Sequence, residues 1–195
     1  MKKKPFVLGI CGKIASGKSA FLQALKADGW IVMDADKVVH ALYMAGEVGQ
    51  RRIYDFFGSE FMKKDGSVDR KKLGAIVFKS PKKLRILNKL IHPLVMTHIA
   101  KEISKIDASN KVAIEAVYFD EGALREVVDK VVVISRSVDL IKKTLVNERH
   151  IPMKIAEAII AEQKMPGHFD AKIVNNSTLK AFEKKAIIAA KKLIP

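Results

Sequence analysis

Residues 12 to 19 read Gly-Lys-Ile-Ala-Ser-Gly-Lys-Ser, and the chemistry that this spacing supports is the holding of phosphates. In a G-x-x-x-x-G-K-S loop the backbone N–H groups turn inward around an anion, the lysine reaches further along the phosphate chain, and the last hydroxyl is placed to ligate Mg²⁺. Lys18 has an alternative reading as a surface lysine, but a cation at a helix start opposes the helix dipole unless an anion sits there. Ser19 has the alternative reading of an ordinary helix-start hydroxyl. Two aspartates follow in Met33-Asp34-Ala35-Asp36-Lys37. Side chains alternate along a strand, so an extended D-A-D would turn both carboxylates to one face. A carboxylate there can accept a hydroxyl proton and orient the oxygen toward a γ-phosphate. Asp36 is assigned that role, and Asp34 is also read as the N-cap of a following helix.

Asp120 and Glu121 stand just beyond the apolar run VAIEAVYF, at residues 112 to 119. An acid at the tip of a buried strand can hold water on Mg²⁺, although acidic turns also serve solubility. Glu115, inside the same run, must be paired, protonated or near a site opening, because an isolated buried carboxylate is costly. His92 precedes Pro93 on an apolar helical segment and reads either as a hydrogen-bonded core residue or as a substrate contact. The other four histidines show no metal-ligand spacing.

The elements around these residues follow the order that a phosphate loop requires. PFVLGI is β-rich, and SAFLQALKADG repeats apolar residues at helical spacing before stopping at Gly29. WIVMD reads as a second strand that delivers Asp34 and Asp36 beyond its end, the edge where open parallel sheets bind ligands. From about residue 37 to residue 107 the strand signal nearly vanishes into a helical block. Pro93 inside that block predicts a kink or break at His92. KVAIEAVYF and KVVVIS restore the strand signal, a helical stretch with a break near Pro152 follows, AKIVNN gives a short strand or turn, and an amphipathic helix closes the chain. The expected fold is an α/β core of five parallel strands with a helical insertion after strand two and a small helical lid between strands four and five. The expected division is a nucleotide-binding core of residues 1–36 and 109–195, with a lid of about 138–170, and a helical insertion of residues 37–108.

Of the 195 residues 49% are apolar, enough for a sizeable core, and the formal net charge is +15. That charge favours polyanions: nucleic acid, an acidic membrane surface or a nucleotide-like small molecule. The lysines recur along the chain in pairs such as Lys71-Lys72 and Lys184-Lys185, without an arginine-rich tail or interleaved aromatics, so no nucleic-acid partner is expected. A single cysteine, Cys11, excludes an intrachain disulfide framework. The apolar stretch after the basic start is too short for a secretory signal or a membrane span, so a cytoplasmic location without a membrane partner is expected.

The assembled motifs resemble those of the dephospho-coenzyme A kinase family across almost the whole chain. They are the loop GKIASGKS, Asp34-Ala35-Asp36, Phe57-Gly58, Asp65-Gly66 with Arg70 to Leu73, and His92-Pro93. The resemblance implies a three-layer P-loop kinase fold, a helical block that binds the acceptor and a lid that closes over ATP. It implies transfer of the ATP γ-phosphate to the ribose 3′-hydroxyl of dephospho-coenzyme A, the last step of coenzyme A synthesis. Carried onto this sequence, ATP falls to Gly12, Lys13, Ile14, Ala15, Ser16, Gly17, Lys18, Ser19 and Ala20, to Arg149 in the lid, and to Asn175 and Asn176 in the NNST turn near the adenine. Mg²⁺ falls to Ser19 with Asp120 or Glu121, the acceptor to Asp34, Asp36, His40, His92 and Tyr118, and catalysis to Asp36 and Lys18. A monomer is favoured. Family loops usually read GGIGSGKS, so Lys13 and Ala15 depart from the pattern; Ala15 fits without strain only if its φ is negative. The lid also lacks the family's run of arginines, leaving Arg149, Lys154, Lys164 and Lys172 as substitutes. A kinase of the same architecture for another nucleotide or nucleoside, a regulatory or nucleic-acid-binding NTPase, and a binding protein with a degenerate centre are the other readings.

Overall fold

The computed structural model describes residues 4–77, 80–115, 127–163 and 167–195. Within them β1 (Phe6–Gly12), β2 (Ile31–Asp34), β3 (Lys111–Glu115), β4 (Lys130–Ser135) and β5 (Ala171–Val174) form one sheet in the order β2-β3-β1-β4-β5. The expected five-stranded parallel sheet is thus present. β1 runs parallel to β3, with Phe6 opposite Lys111, and to β4, with Leu8 opposite Lys130; β4 pairs in parallel with β5, Val132 opposite Ala171. Parallel strands covered on both faces carry near-continuous apolar runs. Val7, Leu8, Ile10, Val112, Ala113, Ile114, Val132 and Ile134 are accordingly all buried.

Helix α1 (Lys18–Ala27) follows β1, and α8 (Leu179–Leu193) closes the chain. Their apolar faces meet through Phe21 and Phe182, ring centroids 6.2 Å apart, over Leu8, Ile10, Val132 and Ile134 of the sheet. Each such large side chain contributes about 1.5–3 kcal/mol on burial. Between β4 and β5 lie α6 (Val138–Lys143), a π-helical turn (Thr144–Glu148) and α7 (Met153–Glu162). Ile141, Leu145, Ala156 and Ile160 make their small core, and Ile14 and Ala15 of the phosphate loop pack against it. Apart from Asp34, the last residue of β2, all of this belongs to one compact unit, residues 1–33 and 106–195.

The second unit, residues 34–105, is helical: α2 (Ala35–Leu42), α3 (Val48–Phe57), α4 (Arg70–Val77) and α5 (Pro81–Ile103). Both aspartates of D-A-D fall in it. α5 packs against the other three helices. It opens on Pro81 under an N-cap from Ser80, whose Oγ accepts the Lys83 N–H at 3.3 Å. Of the kink or break predicted at His92, the break does not occur, for α5 is one helix from end to end with Pro93 inside it. Pro93 removes the N–H that would reach the Lys89 carbonyl. The buried stripe Ile91, Val95, Ile99 and Ile103 straddles it, and packing of that stripe outweighs one backbone bond. The remainder of the third predicted strand, with Tyr118, Asp120 and Glu121, and Lys164 of the lid lie outside the described residues.

Candidate functional site

The phosphate loop is shaped by two glycines for two different reasons. Gly12, φ +154°, ends β1 so close to β4 that a Cβ would collide with the Ile134 carbonyl oxygen and come within 2.7 Å of Ser16 Oγ. Gly17, φ +105°, is the left-handed residue immediately before α1, and a Cβ there would collide with the Asn175 amide. No side chain caps α1, so its first-turn N–H groups point into the loop, the arrangement that receives anions. Ala15 sits at φ +56°, in the left-handed region. The negative φ on which an unstrained Ala15 depends is therefore not adopted, and the loop holds an L-residue where glycine's freedom would be used.

Lys18 is folded back over this loop. Its Nζ donates to the Gly12 carbonyl at 3.0 Å and to the Lys13 carbonyl at 3.3 Å, and lies 3.7 Å from Glu115 Oε1. Glu115 thereby satisfies the first of the conditions its sequence context imposed: it is paired. Ser19 is exposed in the first turn of α1. Its hydroxyl offers a hard oxygen, the donor that Mg²⁺ takes one or two of from a protein while phosphates and water supply the rest. No cluster of three or more His, Cys, Asp or Glu suited to a metal occurs among the described residues.

Loop and lid are joined by polar contacts. Lys13 Nζ donates to the Ile160 carbonyl at 2.9 Å, and the Ile14 N–H donates to Gln163 Oε1 at 2.7 Å. Arg136, immediately after β4, donates from Nη1 to the Ala15 carbonyl at 3.0 Å and to Thr144 Oγ1 at 3.1 Å. No sequence pattern singled out Arg136 or Gln163, because their partners lie far away along the chain. On the other flank, Asn175 Nδ2 donates to the Ser16 carbonyl at 2.8 Å, and Asn176 Oδ1 accepts the Ser137 N–H at 2.9 Å. The NNST turn thus braces the loop and the start of the lid. Arg149 is exposed, and its guanidinium makes no hydrogen bond among the described residues; Lys154 and Lys172 are exposed as well.

In the second unit, Asp34 caps α2: its Oδ1 accepts the Asp36 N–H at 2.9 Å and the Lys37 N–H at 3.4 Å. The extended D-A-D expected to align the two carboxylates is not formed, since the chain turns helical at Ala35. The cap consumes Asp34 structurally and leaves the exposed Asp36 carboxylate accepting no hydrogen bond among the described residues. His40, Tyr43, Lys63, Asp65, Ser67 and Arg70 line a cavity of about 140 Å³ together with Met44 and Val68. Arg70 Nη1 lies 3.4 Å from His40 Nδ1. Burial pushes the Tyr43 phenol up to about 12, against a smaller opposing pull from Arg70, so Tyr43 stays neutral. The Ser67 hydroxyl, at 2.7 Å, and then its N–H hold the Asp65 carboxylate below its ordinary range. His92 lies on α5 and does not line this cavity. A cavity this size, below the roughly 300 Å³ of a small-molecule site, suits one charged group of a larger molecule.

Comparison with known proteins agrees with this construction. The family model described as dephospho-CoA kinase (CoaE) matches residues 6–180. A dephospho-CoA kinase of Lactobacillus johnsonii is 30% identical over 186 residues, covering 92% of this chain and 94% of its own. Among solved structures, a Thermus thermophilus protein superposes with a TM-score of 0.78 at 22% identity, covering 99% of this chain and 100% of its own. A dephospho-CoA kinase from Campylobacter jejuni does so with a TM-score of 0.60 at 22% identity, covering 96% of each chain. Those two likenesses carry the three-layer α/β fold.

Proposed function

The chain belongs to the dephospho-CoA kinase family, a family of P-loop kinases, and from that premise we propose that it transfers the γ-phosphoryl group of ATP to the ribose 3′-hydroxyl of dephospho-CoA. The observation that carries the reading is the phosphate loop itself, with glycines where a Cβ would collide and Lys18 drawn over the loop's own carbonyls. ATP is the substrate that such a loop takes: its phosphate oxygens become acceptors for the first-turn N–H groups of α1 and for Lys18. Mg²⁺ would be held by the Ser19 hydroxyl and, when bound, offsets the negative charge of the phosphates.

The reaction forms a bond between the acceptor O3′ and the γ-phosphorus and breaks the bond to the β–γ bridging oxygen, so ADP leaves. Asp36 orients the 3′-hydroxyl and receives its proton, a role supported by a carboxylate that the α2 cap leaves uncommitted. Lys18 stabilises the charge that develops on the transferring group and the departing ADP. Lys63 and Arg70 offer positive charge and donors to an anionic group of the acceptor.

The test is to incubate the purified chain with Mg-ATP and, separately, dephospho-CoA, adenosine, AMP, CMP and shikimate, following ADP and product. Turnover with dephospho-CoA well above the others supports the reading. Preference for another acceptor contradicts it.

A further inference from the structure

We propose that Arg136 is a positioning residue of the phosphate-donor site: its guanidinium fastens the apex of the phosphate loop to the lid and so holds the loop in the shape that takes up ATP. This rests on the proposal that ATP is the phosphate donor. Arg136 joins two elements that the chain separates widely. Nη1 reaches the Ala15 carbonyl at 3.0 Å, 121 residues away, and Thr144 Oγ1 at 3.1 Å, at the start of the lid's π-helical turn. Thr144 Oγ1 in turn donates to Glu148 Oε1 at 3.1 Å, which fixes the hydroxyl's orientation and leaves its lone pair for the arginine.

Ala15 is held at φ +56°, a conformation that an L-residue leaves unless its surroundings enforce it. The Arg136 contact is made to the carbonyl of that residue, and a charged donor makes the stronger kind of hydrogen bond. Ala15 also packs on the lid's apolar cluster, and its neighbours Lys13 and Ile14 are tied to the Ile160 carbonyl and to Gln163 Oε1. The two positions at which this loop departs from its family's glycines are therefore positions that touch the lid. Arg136 Nε is buried without an acceptor among the described residues. A guanidinium kept there with one N–H unsatisfied is costly, and both contacts it retains are to parts of the donor site. The lid itself lacks an arginine run, and the cation reaches the loop from the end of β4 instead. Both bonds leave one terminal nitrogen, Nη1, whose two N–H groups are held in the rigid guanidinium plane, whereas a lysine ammonium supplies the charge from a flexible stem without that fixed pair of directions.

The experiment measures equilibrium binding of a fluorescent ATP analogue with Mg²⁺ and no acceptor, for wild type, Arg136→Met, Arg136→Lys and Thr144→Val, with KM for ATP and for dephospho-CoA alongside. Arg136→Met is expected to weaken nucleotide binding by roughly 10- to 100-fold and raise the KM for ATP in parallel, with the acceptor KM within about twofold. Arg136→Lys is expected to recover only a small part of that loss. Thr144→Val is expected to weaken binding several-fold, and the double variant Arg136→Met with Thr144→Val to bind no worse than Arg136→Met alone. Nucleotide binding by Arg136→Met within about twofold of wild type overturns the proposal, as does full recovery by Arg136→Lys. If Arg136→Met does not fold, unchanged binding by Thr144→Val overturns it. The wild-type arm alone tests whether ATP is the donor, because a chain that binds no ATP analogue fails there before any variant is compared.

Discussion

Glu115 Oε1 lies 3.7 Å from Lys18 Nζ, so the carboxylate that ends β3 faces the lysine of the phosphate loop. The side chains are 27% and 15% exposed, a partly desolvated pair in which the ammonium also has two loop carbonyls as acceptors. Such a lysine is tethered where it is needed rather than recruited from solvent. Lys18→Met is expected to lower kcat by about 10² to 10³, by analogy with the loss of one charge-stabilising donor. Circular dichroism should show the fold retained. A folded variant with more than half of wild-type kcat would remove Lys18 from the mechanism.

Gly12 and Gly17 differ in what a methyl group would strike, and their alanine variants should differ accordingly. At Gly12 the obstacle is the backbone of β4, which cannot move without disturbing the sheet; at Gly17 it is the end of the Asn175 side chain. Gly12→Ala is expected to cost roughly 2–4 kcal/mol, from the backbone conformation plus overpacking, and Gly17→Ala less. In an Asn175→Ala background the cost of Gly17→Ala should fall further, because its obstacle is gone. Urea denaturation of the four variants checks this, and strict additivity of Gly17→Ala with Asn175→Ala would contradict the contact.

What could be read from the sequence was whatever depends on near neighbours. The loop spacing, the apolar runs of the five strands and the stop at Gly29 are local signals, and they give the sheet and its first helix directly. The D-A-D pair shows where local reading divides: two residues apart in a strand they would share a face, but Ala35 begins a helix and separates their work. Pro93 does not break the helix, because a single lost backbone bond is weighed against a buried stripe that only the folded unit reveals. Arg136 and Gln163 were invisible for the same reason. Their partners, Ala15 and Ile14, are brought to them by the parallel pairing of β1 with β4 and by the fold of the lid.

Neighbouring side chains desolvate the His92 imidazole and push its pKa below the ordinary value of 6.5, although the residue keeps exposed surface. Its folded pKa being the lower one, the unfolded chain binds the proton first as pH falls. Above the unfolded value the ring is neutral in both states and contributes no slope. Stability is then lost as pH drops from there through the folded pKa. His92→Gln is expected to narrow the difference in unfolding free energy between about pH 7.5 and about pH 5.5. Chemical denaturation at both pH values measures it, and an unchanged difference would mean that another group carries the slope.

The cap made by Asp34 separates two aspartates that a motif treats as a pair. Asp36→Asn keeps the shape and one acceptor oxygen but cannot take a proton, and is expected to lower kcat by roughly 10² to 10⁴ with little change in ATP affinity. Asp34→Asn is expected to do less to the rate, since asparagine is itself a good N-cap; Asp34→Ala should cost about 0.5–2 kcal/mol of stability. Steady-state kinetics at saturating Mg-ATP with varied dephospho-CoA, paired with thermal unfolding, separate the two roles. A larger kcat loss from Asp34→Asn than from Asp36→Asn would reverse the assignment.

The most direct measurement of the proposed activity is the position of the phosphate on the product. The purified chain is given Mg-ATP and dephospho-CoA, and the product is resolved by mass spectrometry and by phosphorus and proton NMR of its ribose. Transfer to the ribose 3′-hydroxyl predicts a single product that gains one phosphoryl group on that oxygen, formed in step with ADP. A phosphate on any other oxygen, or ADP formed at the same rate with and without dephospho-CoA and no phosphorylated product, would contradict it.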